Sequence, residues 1–309
     1  MKSKIIKFSI KLVTAILITP SLITQATVSL PAVNLGDSNF QDAIAGPGFL
    51  FQETLISYSS DKILDATGNE LPGNRKVDNF VAQSHFAYFS QKKLFGGFIG
   101  AEALLPYVKV QLNSDFAPQA STTDFGDLKI SPLMLQFNDS KLFGMQFWQR
   151  LNFSFSIPTG NYATDKVPNI GNNFYTFNPH YAFTVAVNKS LEVSGRIHYL
   201  YNGENDKPAQ SLQAKTVQAG QAMHMNFASS YAFNRNWRVG IAGYYLKQLS
   251  DDKIDSISIP NSKEELIGIG PGIKFSGKGQ FFYMNYFKEV HAENRAKGQK
   301  FSIRYSVIW

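Results

Sequence analysis

Phe301-Ser302-Ile303-Arg304-Tyr305-Ser306-Val307-Ile308-Trp309 is the stretch on which the reading of this chain turns. Its odd positions are apolar or aromatic, and Ser302, Arg304 and Ser306 fall between them. A side-chain period of two belongs to a β-strand with one greasy and one wet face. A soluble sandwich accommodates such a strand by burying the greasy face, so the pattern alone is ambiguous. Its position is more telling, because chain ends usually fray and this one closes on tryptophan. An apolar last strand needs an edge to pair with. Pairing it to the first strand of the chain removes both sheet edges at once.

Composition agrees with a closed sheet in lipid. The 309 residues are 44% hydrophobic and 17% charged, with a mean hydropathy of -0.17. Beyond the N-terminus no run of about 18 uncharged apolar residues occurs, which excludes a helical membrane protein. A closed barrel is the other structure able to satisfy its backbone in hydrocarbon. Alternation of lipid-facing and lumen-facing residues hides it from hydropathy. The 26 phenylalanines and 14 tyrosines suit a sheet with aromatic girdles. Absence of cysteine excludes thiol catalysis, cysteine zinc sites and disulfides.

The first residues read as an export signal. Lys2, Lys4, Lys7 and Lys11 precede an apolar run from Leu12 to Ile23, then Thr24-Gln25-Ala26, a small-residue cleavage pattern. Residues 1–26 are expected to be a signal peptide cut after Ala26. Removing its four lysines leaves 26 basic against 23 acidic residues, so the net charge falls from +7 to +3. A nucleic-acid partner is not expected on that balance.

Residues 27–47 carry Pro31, Gly36, Asp37, Gly46 and Pro47 without sustained period, and are expected to form an irregular periplasmic segment or a plug. From Gly48 to Trp309 the chain is expected to be one transmembrane barrel. Alternating or aromatic-rich runs fall at about 48–59, 79–89, 95–110, 126–137, 143–157, 174–187, 191–202, 221–233, 237–249, 265–275, 279–289 and 299–309. Twelve is an even number, as bacterial single-chain barrels require. Short connections at 90–94, 138–142, 188–190, 234–236 and 276–278 alternate with long ones at 60–78, 111–125, 158–173, 203–220, 250–264 and 290–298. Tight turns at one end and long loops at the other are the asymmetry of an outer-membrane barrel. The expected fold is therefore an all-β, antiparallel, up-and-down barrel of about twelve strands, located in the outer membrane.

Face assignment follows from the cost of a charge in lipid, about 2 to 4 kcal/mol at mid-depth. Arg150, Glu192, Arg196 and Arg304 are placed inward, and His180, His198, His224 and Glu289 share inward faces with them. These eight are the candidate pore-lining or ligand residues. On the strand with Glu289, Phe281, Tyr283 and Phe287 also turn inward. They line a passage for an apolar or aromatic solute, or they fill a small barrel whose interior must be packed. The first three strands alternate too poorly for their faces to be assigned.

Catalytic and cofactor chemistry is not indicated. The five histidines have no metal-ligand spacing, no Gly-x-Ser-x-Gly elbow occurs, and neither cofactor nor metal is expected. Gly268-Ile269-Gly270-Pro271-Gly272 lacks the helix and lysine of a phosphate loop. Glycines facing inward there leave room, or let a plug approach the wall. Asp251, Asp252 and Asp255 are read as residues of a solvated loop.

Several motifs together resemble a family. They are Gly126-Asp127-Leu128 with Pro132, Pro158-Thr159-Gly160-Asn161-Tyr162, Asn173-Phe174-Tyr175-Thr176-Phe177-Asn178-Pro179, Gly243-Tyr244-Tyr245 with Gln248 and Asp251, Gly268-Ile269-Gly270-Pro271, and Glu289 with Ala292, Asn294-Arg295 and Gly298. The chain resembles the outer-membrane proteins of the meta-pathway phenol-degradation family. One departure is Val217-Gln218-Ala219-Gly220, where the family has Tyr-x-Ser-Gly. The resemblance implies a transporter-like barrel associated with aromatic degradation. Expected partners are outer-membrane lipid and lipopolysaccharide, a small hydrophobic or aromatic solute, and the assembly machinery acting through the Trp309 strand. Asn294, Arg295 and Gly298 are the candidate external-loop motif, with Glu289 and Arg295 pairing across the last loop or with a lumen arginine. The leading expectation is a non-enzymatic, passive channel. The alternative is a packed, non-conducting barrel with ligand- or partner-binding loops.

Overall fold

A computed structural model describes residues 28–309 of the chain; the expected signal peptide lies outside the described residues. Twelve wall strands run antiparallel in sequence order: Gly48–Ser60, Arg75–Leu94, Gly97–Ser114, Leu128–Phe137, Met145–Ile157, His180–Ala186, Leu191–Asn202, Ala222–Ala232, Trp237–Gln248, Glu265–Gly277, Gln280–Glu293 and Gln299–Ile308. The sheet closes where Leu50 pairs with Ile308 and Ser59 with Gln299. All twelve coincide with the alternating runs of the sequence, and no sheet edge is left along the wall.

Alternation sorts the faces. In Leu191–Asn202, Glu192, Ser194 and His198 are buried while Val193, Ile197, Tyr199 and Tyr201 are exposed. In Gln280–Glu293, Asn285, Phe287 and Glu289 are buried between exposed Met284, Tyr286 and Val290. Outward apolar residues such as Leu55, Phe86, Ile241, Phe301 and Ile303 make the exterior greasy. Rings gather at the short-turn end: Phe49 lies 4.4 Å from Tyr88 and 6.2 Å from Trp309, and Phe282 lies 4.8 Å from Tyr305. This is an outer-membrane-type barrel.

Two departures from expectation have physical causes. Arg75–Leu94 and Gly97–Ser114 are longer than their apolar runs, and Ala117–Phe125, expected to be loop, is a strand paired with Tyr107 to Ser114. These extensions stand beyond the greasy belt, where both faces meet water, so polar residues on both faces mask the strand. Glu53 is the second. It alternates with inward Thr54 and Ile56, points outward, and accepts a 2.7 Å hydrogen bond from Ser84 Oγ. That partner reduces the cost of a carboxylate on the outer face.

Residues 28–47 run lengthwise through the barrel. Val28 packs on Val217 and Ala219 at the long-loop end. At the other end, Phe49 N donates to Trp309 O at the seam.

Candidate functional site

The inner segment meets the wall through its own polar groups. Asp42 accepts both Nε and Nη2 of Arg196, at 2.8 and 2.7 Å, and stands 4.0 Å from Arg150. Asp37 pairs with Lys300 at 2.6 Å, and its carbonyl accepts from Arg304 at 2.5 Å. Gly36 N donates to Asn226, Ala43 N to Thr184, and Asn39 Nδ2 to Asn285. The irregular backbone needs such partners, since no sheet or helix ladder satisfies it.

One side of the segment is packed tightly. Phe40, 1% exposed, belongs to a buried apolar cluster that also holds Tyr244, Leu246, Leu266 and Phe287. Burial of a ring on this scale contributes about 1.5 to 3 kcal/mol. Glycine makes the approach possible: a Cβ at Gly272 would lie 3.0 Å from the Phe40 ring and 2.1 Å from Asn285 Nδ2. The inward glycines thus let a plug reach the wall. The inward aromatic Phe287 fills the interior rather than lining a passage.

The other side is hollow. A cavity of about 560 Å³ runs beside the segment, reaching from Gly48 and Ile308 up to Thr176 and Asn178. Lys129, Arg150, Arg196, Lys274 and Arg304 line it against Asp37, Asp42 and Glu102, so its cations outnumber its anions. Phe89, Met134, Phe281 and Tyr283 add apolar surface. The cavity also touches Ile130 and Phe155, where the ladder skips a residue around Ser131 and Pro132, which lacks an N–H to donate.

Of the eight candidate lumen residues, Arg150, His180, Arg196, His198 and Arg304 line this cavity. The other three point inward elsewhere. Glu192 accepts from Ser194 and Ser230 at 2.6 and 2.5 Å. His224 stacks on His198 at 4.0 Å, and His198 in turn lies 4.4 Å from His180. Asn178 bridges the stack, its Oδ1 2.6 Å from His198 Nδ1 and its Nδ2 3.1 Å from His224 Nε2. Glu289 accepts from Tyr58, Tyr244 and the Gly298 amide.

Arg295 does not pair with Glu289 or with a lumen arginine. It bonds Glu264 at 2.8 Å, while Glu289 takes its donors from Tyr58, Tyr244 and the Gly298 amide. The other Glu264 oxygen accepts from Leu30 N at 2.9 Å. Asn294 Nδ2 donates to the carbonyls of Asn261 and Lys263. Residues 289–298 therefore tie the last loop, the 249–264 loop and the inner segment into one rim. Asp127 does the same nearby, accepting from Gly160 N, Asn172 N and Asn172 Nδ2. Asp252, read as solvated, is fully buried: its Oδ1 takes the Gly220 amide and Gln248, and burial pushes its carboxyl up to about 7.

Sequence reading missed Asp42, Asp37 and Glu102. The first two sit in a segment without period, and Glu102 lies on a strand whose faces were unreadable. Glu102 holds His85 at 2.9 Å and accepts from Ser131 and Asn152. Glu265, His291 and Glu293 bring ligand atoms within 4.8 Å of one another at the rim. The first comes from a neighbouring strand, so spacing along the chain could not show the group. Tyr245 and Lys247 already bond Glu265.

Comparison with known proteins agrees with this geometry. The family model described as putative MetA-pathway of phenol degradation matches residues 60–305. The chain belongs to that family. It is similar in fold to an outer membrane channel from Pseudomonas putida F1, with 16% identity and a TM-score of 0.77, over 90% of this chain and all of that one. The transport unit of the autotransporter AIDA-I from Escherichia coli is a more distant match, at 9% identity and a TM-score of 0.52, over 85% of this chain and 90% of that one. No curated protein matches the sequence significantly. Within the family's motifs, Gly126-Asp127, Gly160 and the Glu289 to Gly298 stretch hold loops together, and the divergent Val217 and Ala219 pack against Val28.

Proposed function

We propose that this protein is a passive outer-membrane channel for small hydrophobic or aromatic solutes, which occupy the lumen cavity as they cross. The cavity of about 560 Å³ carries the reading. Ligand pockets span about 300 to 1,000 Å³, and about 150 Å³ suffices for benzene. Rings and thioether supply apolar contact, while charges of both signs set selectivity, as pore chemistry requires. No chemical step is needed for passage. His198 and His224 bond Asn178, and His85 bonds Glu102, rather than a nucleophile.

In the membrane, the short turns face the periplasm and the long loops, with the 289–298 rim, face outward. Lipid meets the greasy belt, lipopolysaccharide meets the extended strands, and the Trp309 strand is the handle for assembly. Liposome swelling tests the reading: solutes up to the size of a substituted benzene should enter faster than controls. Absence of permeability to every solute, in protein whose gel mobility shows it folded, overturns it. The alternative of a non-conducting barrel draws on one observation, the inner segment packed through Phe40. It requires that substituting Asp42, which leaves the loops intact, opens no conductance.

A further inference from the structure

Lys274, Tyr283 and Arg304 are direct cross-strand neighbours on the inner wall, at the short-turn end of the cavity. Two are cations, and both are buried, with 4% and 9% exposure. A buried cation ordinarily keeps a carboxylate beside it, because desolvating an unpaired charge is costly. Here the acids are committed elsewhere. Asp42 holds Arg196, Asp37 holds Lys300, and Glu102 holds His85.

Lys274 is left with the neutral Gln41 Oε1 at 2.6 Å, and Arg304 with the Asp37 carbonyl and Asn39 Oδ1. Among the described residues neither cation has a carboxylate partner, and the buried Nε of Arg304 has no acceptor at all. What surrounds them is aromatic. The Arg304 guanidinium lies 3.7 Å from the Tyr283 ring centre, and Lys274 Nζ lies 5.0 Å from the same ring and 4.8 Å from Phe281. All four residues face the one cavity.

We propose that this row is a subsite for aromatic carboxylates, whose acid group is taken by Lys274 and Arg304 while the ring lies beside Phe281 and Tyr283. The proposal rests on the channel reading and names the solute class. A neutral hydrocarbon would leave both cations and the Arg304 Nε unanswered. A simple inorganic anion would answer the charge and leave the rings unused. A planar carboxylate matches the guanidinium fork, and one negative charge against two cations with rings around them leaves the solute held but able to leave. The row stands at the periplasmic end, so it is the last station a solute meets on entry.

Benzoate and the neutral ring compound benzyl alcohol separate the possibilities. In purified, detergent-solubilised protein, titration calorimetry should show benzoate binding at least tenfold tighter than benzyl alcohol and than acetate. Lys274→Gln and Arg304→Gln should each lower the benzoate to benzyl alcohol affinity ratio at least tenfold, with folding checked by heat-modifiable gel mobility. Arg304→Lys, which keeps the charge and loses the fork, should give an intermediate ratio and serves if the glutamine variant does not fold. Equal affinities for the two ring compounds, or a ratio untouched by the substitutions, overturns the subsite. Benzoate binding that persists in a protein passing no solute leaves the subsite standing and overturns the channel.

Discussion

The inner segment touches two walls, and it touches them differently. Around Ala228, Ala242, Gly268 and Gly272 the wall presents small residues inward, and the segment lies against it with the Phe40 ring beside Gly272. Where the wall turns His85, Glu102, Arg150, His180 and Arg196 inward, and Lys274 and Arg304 at the short-turn end, a cavity remains. Small inward residues admit the segment, so contact is complete. Long charged ones reach across to Asp42 and hold it at arm's length. Inward side-chain size decides where the lumen of this twelve-stranded barrel is filled and where it stays hollow.

Breaking the ionic side should have the largest effect. Asp42→Ala strips Arg196 of its bidentate partner and leaves two guanidinium groups without an acid. Loss of one member of a buried pair costs about 3 to 5 kcal/mol. Planar-bilayer recordings should show higher conductance and a reversal potential moved toward anions, whereas Arg196→Glu should move it toward cations. Unmoved reversal potentials in both variants would remove Arg196 and Asp42 from the ion path.

Breaking the packed side comes next. Phe40→Ala should lower stability by about 3 kcal/mol, read from unfolding in detergent, because the ring vacates a site closed on all sides. Gly272→Ala attacks the same contact from the wall, placing a methyl 2.1 Å from Asn285 Nδ2, and should cost about 1 to 3 kcal/mol. If Gly272→Ala is silent while Phe40→Ala is not, the packed side has slack between Phe40 and the wall.

The smallest effect belongs to the rim. Asp252 titrates near 7 when folded against 3.8 in its ordinary state, so the folded loop binds the extra proton between those values. Its contribution is full below pH 3.8 and is lost as pH rises through about 7. Amide hydrogen exchange across 248–264 should therefore quicken beyond its intrinsic rise as pH climbs from about 4 to about 7, with the excess levelling off above 7, and Asp252→Asn should abolish it. An equal excess in Asp252→Asn would assign it to another group.

The wall was legible because lipid imposes a period of two, which most of the twelve runs show and only the first three blur. The inner segment was not, because its order comes from contacts with distant strands and not from any period of its own. The histidine stack shows where legibility stops. His180 pairs with His198 across the tight turn centred on Lys189, which fixes their register from sequence. His198 pairs with His224 across the long connection after Asn202, whose length says nothing about register. Asp252 misled for a related reason: an aspartate pair in a polar loop looks solvated until Gly220 and Gln248 from other segments are seen to enclose it.

The seam has a consequence for assembly. Leu50 and Ile308 stand at opposite ends of the chain and meet as neighbours, so this is the costliest ring closure the polypeptide makes, growing as the logarithm of the span. The segment that enters at Val28 is joined directly to the seam strand at Gly48. A cylinder sealed early would have to thread some twenty residues through itself afterwards, past Arg196, Arg304 and Lys300. Enclosing the segment while the first and last strands are still apart avoids that passage, and zipping the seam then locks it in.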